Sequence, residues 1–313
     1  MAEPGDGGVR SYHLVMDDWH HWMYVTRNQR TIAAPAAVEG VGYWSGLDVR
    51  VEFRPAPVDA GIVFVRADLE GCPRIPATVD HRIEIPRRTA LRCGEATVEM
   101  VEHIMASLAG LQIDNCELRV NQAEMPGCDG SSQPFVEAIY AAGIVEQNAV
   151  RRHCVIRTPL RIGNAESWIE ARPCSSGKTV LHYELDYGSG NSIGRQSLEI
   201  SLSPRHFHMN LAPSRTFVLE AEAAALKAQG LGQRATFKDL LVFGNRGLID
   251  NQLRFPDECV RHKMVDMVGD LALAGCDLVG RFFAYRSGHR LNAELVRAII
   301  ARAEMHDKLQ RCA

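Results

Sequence analysis

A chain of 313 residues with 35 Lys+Arg, 38 Asp+Glu and a formal net charge of −3 has room for two ordinary domains and no basic footprint for nucleic acid. Its nine cysteines are scattered singly with no Cys-x-x-Cys, which argues against a disulfide framework or a zinc knuckle and fits a reducing, cytoplasmic compartment. No apolar run is long enough to span a bilayer.

Residues 1–28 lack the apolar core of a secretory signal and read as a disordered leader without chemistry, the Trp19-His20-His21-Trp22 run included; Met23 is an alternative start. Short strands follow at 31–32, 49–53 and 61–65, separated by the turn signals Gly40-Val41-Gly42, Ser45-Gly46 and Pro55-Ala56-Pro57. Residues 97–110 predict a helix, because Val98, Val101, Met105 and Leu108 recur at helical spacing and Gly110 suits a C-terminal cap. A strand at 116–120 and a helix at 134–142 close the first half.

The second half repeats that order. Strands are expected at 154–157 and 180–184, a helix at 220–229, a helix bearing His262 that stops at Leu273-Ala274-Gly275, a strand at 279–285 and a helix at 292–303. Each half thus contains helix, Ala-Gly stop, strand, helix, which predicts an α+β protein of two similar layered α/β sandwich domains, 29–149 and 150–313, from a duplicated unit.

The densest chemistry lies in Val260-Arg261-His262-Lys263-Met264-Val265-Asp266. His262 and Asp266 are one helical turn apart on one face and can grip one metal ion, and Asp270 extends that face by another turn. Alone, such spacing more often marks a surface hydrogen-bonded pair. A catalytic zinc needs a third protein ligand, and His103 on the earlier helix is the candidate, with Glu102 beside it as a base. A metal bridging His103 to His262 and Asp266 would sit at the interface of the halves.

Ser287-Gly288-His289 sets a histidine at a glycine turn before a helix, where Asp270 can orient it and favour its protonated form. Ser214-Arg215-Thr216-Phe217 offers a hydroxyl beside an aromatic ring, although a plain strand end would read the same. Asp129-Gly130-Ser131 reads as a tight turn with a hydroxyl cap ahead of Pro134, bracing the His103 side. Lys263 neighbours a metal ligand, where an unpaired cation is costly unless it meets an anion such as phosphate.

Taken in order, Glu102-His103 with Ser107-Leu108-Ala109-Gly110, the run from Met125 to Phe135, Ser214-Arg215-Thr216-Phe217, Val260 to Met264 with Asp266 and Asp270, and Ser287-Gly288-His289 with Leu291-Asn292 resemble the zinc-dependent UDP-3-O-acyl-N-acetylglucosamine deacetylases. The resemblance covers roughly 30–303 and implies the committed step of lipid A synthesis in Gram-negative bacteria. By resemblance, His103, His262 and Asp266 are zinc ligands, Glu102 the general base, His289 the catalytic histidine, Asp270 its orienting carboxylate and Thr216 an oxyanion donor. Phe217 and Lys263 match residues that contact the sugar and nucleotide diphosphate, and Arg286 stands where the family usually has lysine. The expected partner is an acylated UDP-amino sugar, met by a monomer in transient contact with a membrane surface.

Such chemistry follows physically, because zinc lowers the pKa of a bound water to about 7 and polarises the carbonyl. Iron(II) also suits two histidines and one aspartate. Trp44 replaces a histidine, Val218 a glycine, and 233–239 a glycine pair with a following Asp-Asn. These departures keep open a paralogue that deacetylates a different N-acetylated sugar. A catalytically idle binding protein is the other reading, and intact Glu102, His289 and Thr216 argue against it.

Overall fold

The computed structural model describes the backbone of residues 13–17 and 20–312 and the side chains of residues 26–305. Alternation builds the strands. In Asp48–Pro55, Val49, Val51 and Phe53 turn inward and are buried while Arg50, Glu52 and Arg54 face out. Five such strands form the first sheet in the order Ala36–Val41, Asp48–Pro55, Cys116–Val120, Ile62–Arg66, Arg74–Pro76. Its central strand, Cys116–Val120, runs antiparallel to Asp48–Pro55 and parallel to Ile62–Arg66.

The second sheet follows the order Leu160–Gly163, Trp168–Arg172, Asp277–Tyr285, Thr179–Asp186, Arg195–Ser201. Here too the central strand, Asp277–Tyr285, is antiparallel to one neighbour and parallel to the other, and His153–Val155 pairs with its start. The two sheets therefore share strand order and direction, which makes the protein the α+β layered fold expected from the alternating elements.

Among the described residues six α-helices accompany the sheets: α1 (Glu102–Gly110), α2 (Gln133–Ala142), α3 (Pro204–His206), α4 (Glu220–Ala228), α5 (Glu258–Ala272) and α6 (His289–Cys312). Pro134 in the first turn of α2 and Gly143 after its end, at φ 75°, bound that helix as proline and glycine bound helices generally. α1 and α5 pack against each other, α5 also packs on Thr179–Asp186 and Arg195–Ser201 of the second sheet, and a single apolar core runs through both halves. Gly269 permits that approach: a Cβ there would run into the backbone carbonyl of Glu102.

Several boundaries differ from expectation. The helix expected over 97–110 begins only at Glu102, because Ala96–Glu99 is a strand with Ala96 and Val98 inward, and Met100 takes φ 58°. The apolar spacing from Val98 mixes two periods. Helix α6 starts at His289 itself, and two small sheets, Arg82–Ile83 with Ala90–Cys93 and Ala96–Glu99, and Phe217–Leu219 with Leu241–Gly244 and Gly247–Leu248, were not anticipated. Within the leader, His13–Asp17 pairs antiparallel with His20–Thr26; residues 1–12, 18 and 19 lie outside the described residues.

The two halves are also fastened by charge. Arg27 reaches both oxygens of Asp114 at 2.6 and 2.8 Å and both of Asp277 at 2.8 Å. Arg151 adds contacts to Asp114 at 2.9 Å and to Asp277 at 3.3 Å.

Candidate metal centre and active site

Helical periodicity brings His262 and Asp266 onto one face of α5, and the packing of α1 on α5 adds His103 from the other half; all three are buried. Asp266 Oδ1 is 3.5 Å from His262 Nε2 and 3.6 Å from His103 Nε2. The two imidazoles stand edge to face, with centroids 5.0 Å apart. One donor atom from each of the three residues falls within 4.8 Å of the others, the arrangement of a cation site.

The surroundings suit ligands. His262 Nδ1 lies 3.1 Å from the carbonyl oxygen of Ser214, which fixes the tautomer that leaves Nε2 unprotonated. Burial pushes the His262 pKa down to about 4, so the ring is neutral and its lone pair available. Burial works to raise Asp266, but the ammonium of Lys263 leads the neighbours that outweigh it and hold the carboxyl well below the usual range. Lys263 Nζ contacts Asp266 Oδ2 at 2.6 Å, so the cation that the sequence left without a partner is paired with the candidate ligand. Asp266 thereby divides its oxygens, Oδ1 toward the imidazoles and Oδ2 toward the ammonium.

Around this triad the other expected residues converge. Glu102, buried beside His103, accepts the backbone N–H of Thr89 on Oε2 at 2.9 Å, and burial raises its pKa. His289 Nδ1 lies 2.9 Å from Asp270 Oδ2, which also accepts Asn292 Nδ2 at 2.8 Å, while Asp270 Oδ1 accepts the Thr89 hydroxyl at 2.5 Å. Burial works to lower His289, but Asp270, with Glu102 and Asp266, prevails and raises it to about 9. His289 is therefore held as imidazolium at neutral pH.

Thr216 and Phe217 enter from the chain leading into the Phe217–Leu219 strand. The Phe217 ring stands edge-on to His262 with centroids 6.1 Å apart. Thr216 donates its N–H to Gly130 O at 2.7 Å, and a side chain at Gly130, at φ 81°, would collide with Asp239 O and crowd Thr216. The Asp129-Gly130-Ser131 turn thus braces the site, as read from sequence. Its neighbour Ser132 and Ser107 of α1 both donate hydroxyls to His103 O, at 3.0 and 2.9 Å.

One cavity of about 1220 Å³ is lined by His103, His262, Asp266, Glu102, His289, Thr216, Phe217, Lys263 and Arg286, nine of the ten expected site residues. Asp270, the tenth, is fully buried behind His289. The lining also includes apolar side chains from and near α4, namely Ala223, Ala224 and Leu226, with Leu231, Phe237 and Val242. Trp44 lines the same cavity: its backbone N–H donates to Glu124 Oε1 at 2.8 Å and Arg88 covers its ring at 4.5 Å. Arg234, another departure, donates to Gly46 O at 2.8 Å and so reaches the turn that carries Trp44.

Two features escaped the sequence. Thr89 bridges Glu102 and Asp270, and the buried pair Arg215–Glu258, at 2.8 Å, ties the first turn of α5 to the segment bearing Ser214 and Thr216. Both act across long sequence separations without any local signal, though Arg215 lies inside a segment already singled out.

A family model described as UDP-3-O-acyl N-acetylglycosamine deacetylase matches residues 29–301. A UDP-3-O-acyl-N-acetylglucosamine deacetylase of Anaeromyxobacter sp. (strain Fw109-5) is 37% identical over 280 residues, covering 89% of this chain and 90% of the relative. Proteins of the same name from Thermosynechococcus vestitus and Phenylobacterium zucineum are each 38% identical, covering 88% of this chain and 95% and 94% of themselves.

Proposed function

The chain belongs to the UDP-3-O-acyl N-acetylglycosamine deacetylase family, and on that premise we propose that it hydrolyses the acetamido group of a UDP-3-O-acyl-N-acetylglucosamine in lipid A biosynthesis. The products are acetate and the free amine. One observation carries the reading: a base, a buried His/His/Asp cluster and a carboxylate-paired histidine converge on one cavity.

His103, His262 and Asp266 suit a divalent ion, and their two imidazole nitrogens and one carboxylate oxygen favour zinc, with iron(II) as the alternative. When bound, zinc supplies Lewis-acid polarisation of the carbonyl and a water of pKa about 7. Glu102 takes the proton of the attacking water through the oxygen that Thr89 leaves free, and burial strengthens it as a base. Thr216 donates its hydroxyl to the developing oxyanion, and protonated His289 adds a second donor before passing its proton to the nitrogen as the C–N bond breaks. Each such donor is worth about 3 kcal/mol of barrier lowering.

Phe217 supports the sugar, while Lys263 and Arg286 face the anionic diphosphate. The apolar side chains on and near α4 receive the acyl chain, a role that Leu226, Leu231 and Val242 in the cavity lining support. No helix among the described residues is long and apolar enough to cross a membrane. Free cysteines support a cytoplasmic location.

The test is acetate release from UDP-3-O-(3-hydroxyacyl)-N-acetylglucosamine by the zinc-loaded protein, alongside Glu102→Ala and His289→Ala. Turnover that collapses in both variants is expected. A zinc-bound protein that releases no acetate would overturn the substrate and turn attention to other N-acetylated sugars, for which Trp44 at the cavity is the motivating feature.

A further inference from the structure

Thr89 is 1% exposed, precedes the Ala90–Cys93 strand and lies outside the cavity lining. All three of its polar groups are engaged at the site's edge. The N–H donates to Glu102 Oε2 at 2.9 Å, the hydroxyl donates to Asp270 Oδ1 at 2.5 Å, and the carbonyl accepts the N–H of Val101 at 3.2 Å. One residue thus joins the start of α1 to the far end of α5 through the carboxylates of Glu102 and Asp270.

Those carboxylates have different tasks in the reaction proposed above, on which this inference rests. Glu102 must keep one oxygen turned toward the substrate, and a fixed donor on Oε2 selects the rotamer that does so. Asp270 must keep Oδ2 against His289 Nδ1. With Asn292 also on Oδ2, the Thr89 hydroxyl is the donor to Oδ1. Removing it leaves a buried carboxylate oxygen unpaired, a cost the group relieves by rotating and drawing Oδ2 away from His289.

We propose that Thr89 is a positioning residue for the acid-base pair, its hydroxyl locking Asp270 against His289 and its backbone N–H setting the rotamer of Glu102. It touches neither substrate nor metal ligand. The two effects are separable, because Thr89→Val removes only the hydroxyl while retaining the β-branch and the N–H to Glu102.

Outer partners of this kind are typically worth about 10- to 100-fold in activity. The expected result for Thr89→Val is a fall in kcat of about 10-fold or more with KM and zinc content unchanged, and recovery to within about threefold in Thr89→Ser. In an Asp270→Asn background, Thr89→Val should cost nothing further, because the locked group is already lost. Crystal structures of both variants provide a readout that needs no turnover: the His289–Asp270 contact of 2.9 Å is lost with valine and kept with serine. A retained contact and undiminished kcat in Thr89→Val, or equal losses in the two backgrounds, overturns the proposal. Wild-type turnover that vanishes in Glu102→Ala tests the deacetylase reading separately; were the wild type inactive, the crystallographic contact would still decide for or against Thr89.

Discussion

At the scale of single residues the site depends on two histidines pushed in opposite directions. His262 is buried facing Ser214 O and falls to about 4, whereas His289 faces Asp270 and rises to about 9. Burial opposes the charged form of both; at His289 the hydrogen-bonded Asp270, with Glu102 and Asp266, overcomes it, whereas at His262 the pull of Asp266 does not, because His103 and Lys263 act with burial. The sign of the consequence is fixed: a histidine raised above its unfolded value near 6.5 contributes stability that is complete below that pH and is lost as pH climbs through about 9. Protonated His289, the donor in the proposed reaction, disappears over the same interval. The pH profile of kcat should therefore fall on its alkaline side, and Asp270→Asn should move that fall at least about one unit lower, because burial then acts with less opposition. Both proteins carry the same metal, so the difference isolates Asp270. An alkaline limb that stays in place would remove His289 from the role of acid.

At the scale of elements the decisive contact is α1 on α5, and Gly269 sets its distance. Alanine normally improves a helix interior by about 1 kcal/mol over glycine, but overpacking a close interface costs about 1–3 kcal/mol. Here the obstacle is the Glu102 backbone carbonyl, which cannot swing away as a side-chain tip can. Gly269→Ala should lower the melting temperature and weaken both zinc affinity and kcat, since Glu102 and His103 move relative to His262 and Asp266. An unaltered melting temperature and metal affinity would show that the helices separate without consequence. Much of this geometry was legible beforehand. The 262/266 spacing, the 116–120 strand and the α5 stop at 273–275 are local patterns, and local patterns survive folding. The start of α1 was not legible, because a four-residue strand and a left-handed Met100 precede it within one apolar rhythm. Neither was Thr89, whose partner Asp270 lies 181 residues away.

Across the whole molecule the candidate metal site spans the seam, with His103 from the first half and His262 and Asp266 from the second. Binding there stabilises only the folded chain, by about 4 kcal/mol when free metal stands at a thousand times its dissociation constant. Chelation should thus lower the melting temperature by several degrees, and added zinc should restore it. It should not unfold the protein. The seam is also held by the packing of α1 on α5 around the ligands and by Arg27 and Arg151 on Asp114 and Asp277, ion pairs that involve no ligand residue. Stripping the metal leaves two buried imidazoles, at least His262 neutral, and an Asp266 carboxylate still paired with Lys263, so no uncompensated charge is exposed to the interior. Differential scanning calorimetry with and without chelator, on wild type and His103→Ala, separates the contributions. His103→Ala should lose most of the zinc-dependent shift while melting as one cooperative transition. Two separate transitions in the chelated wild type would instead mean that metal, rather than packing and the arginine bridges, holds the halves together.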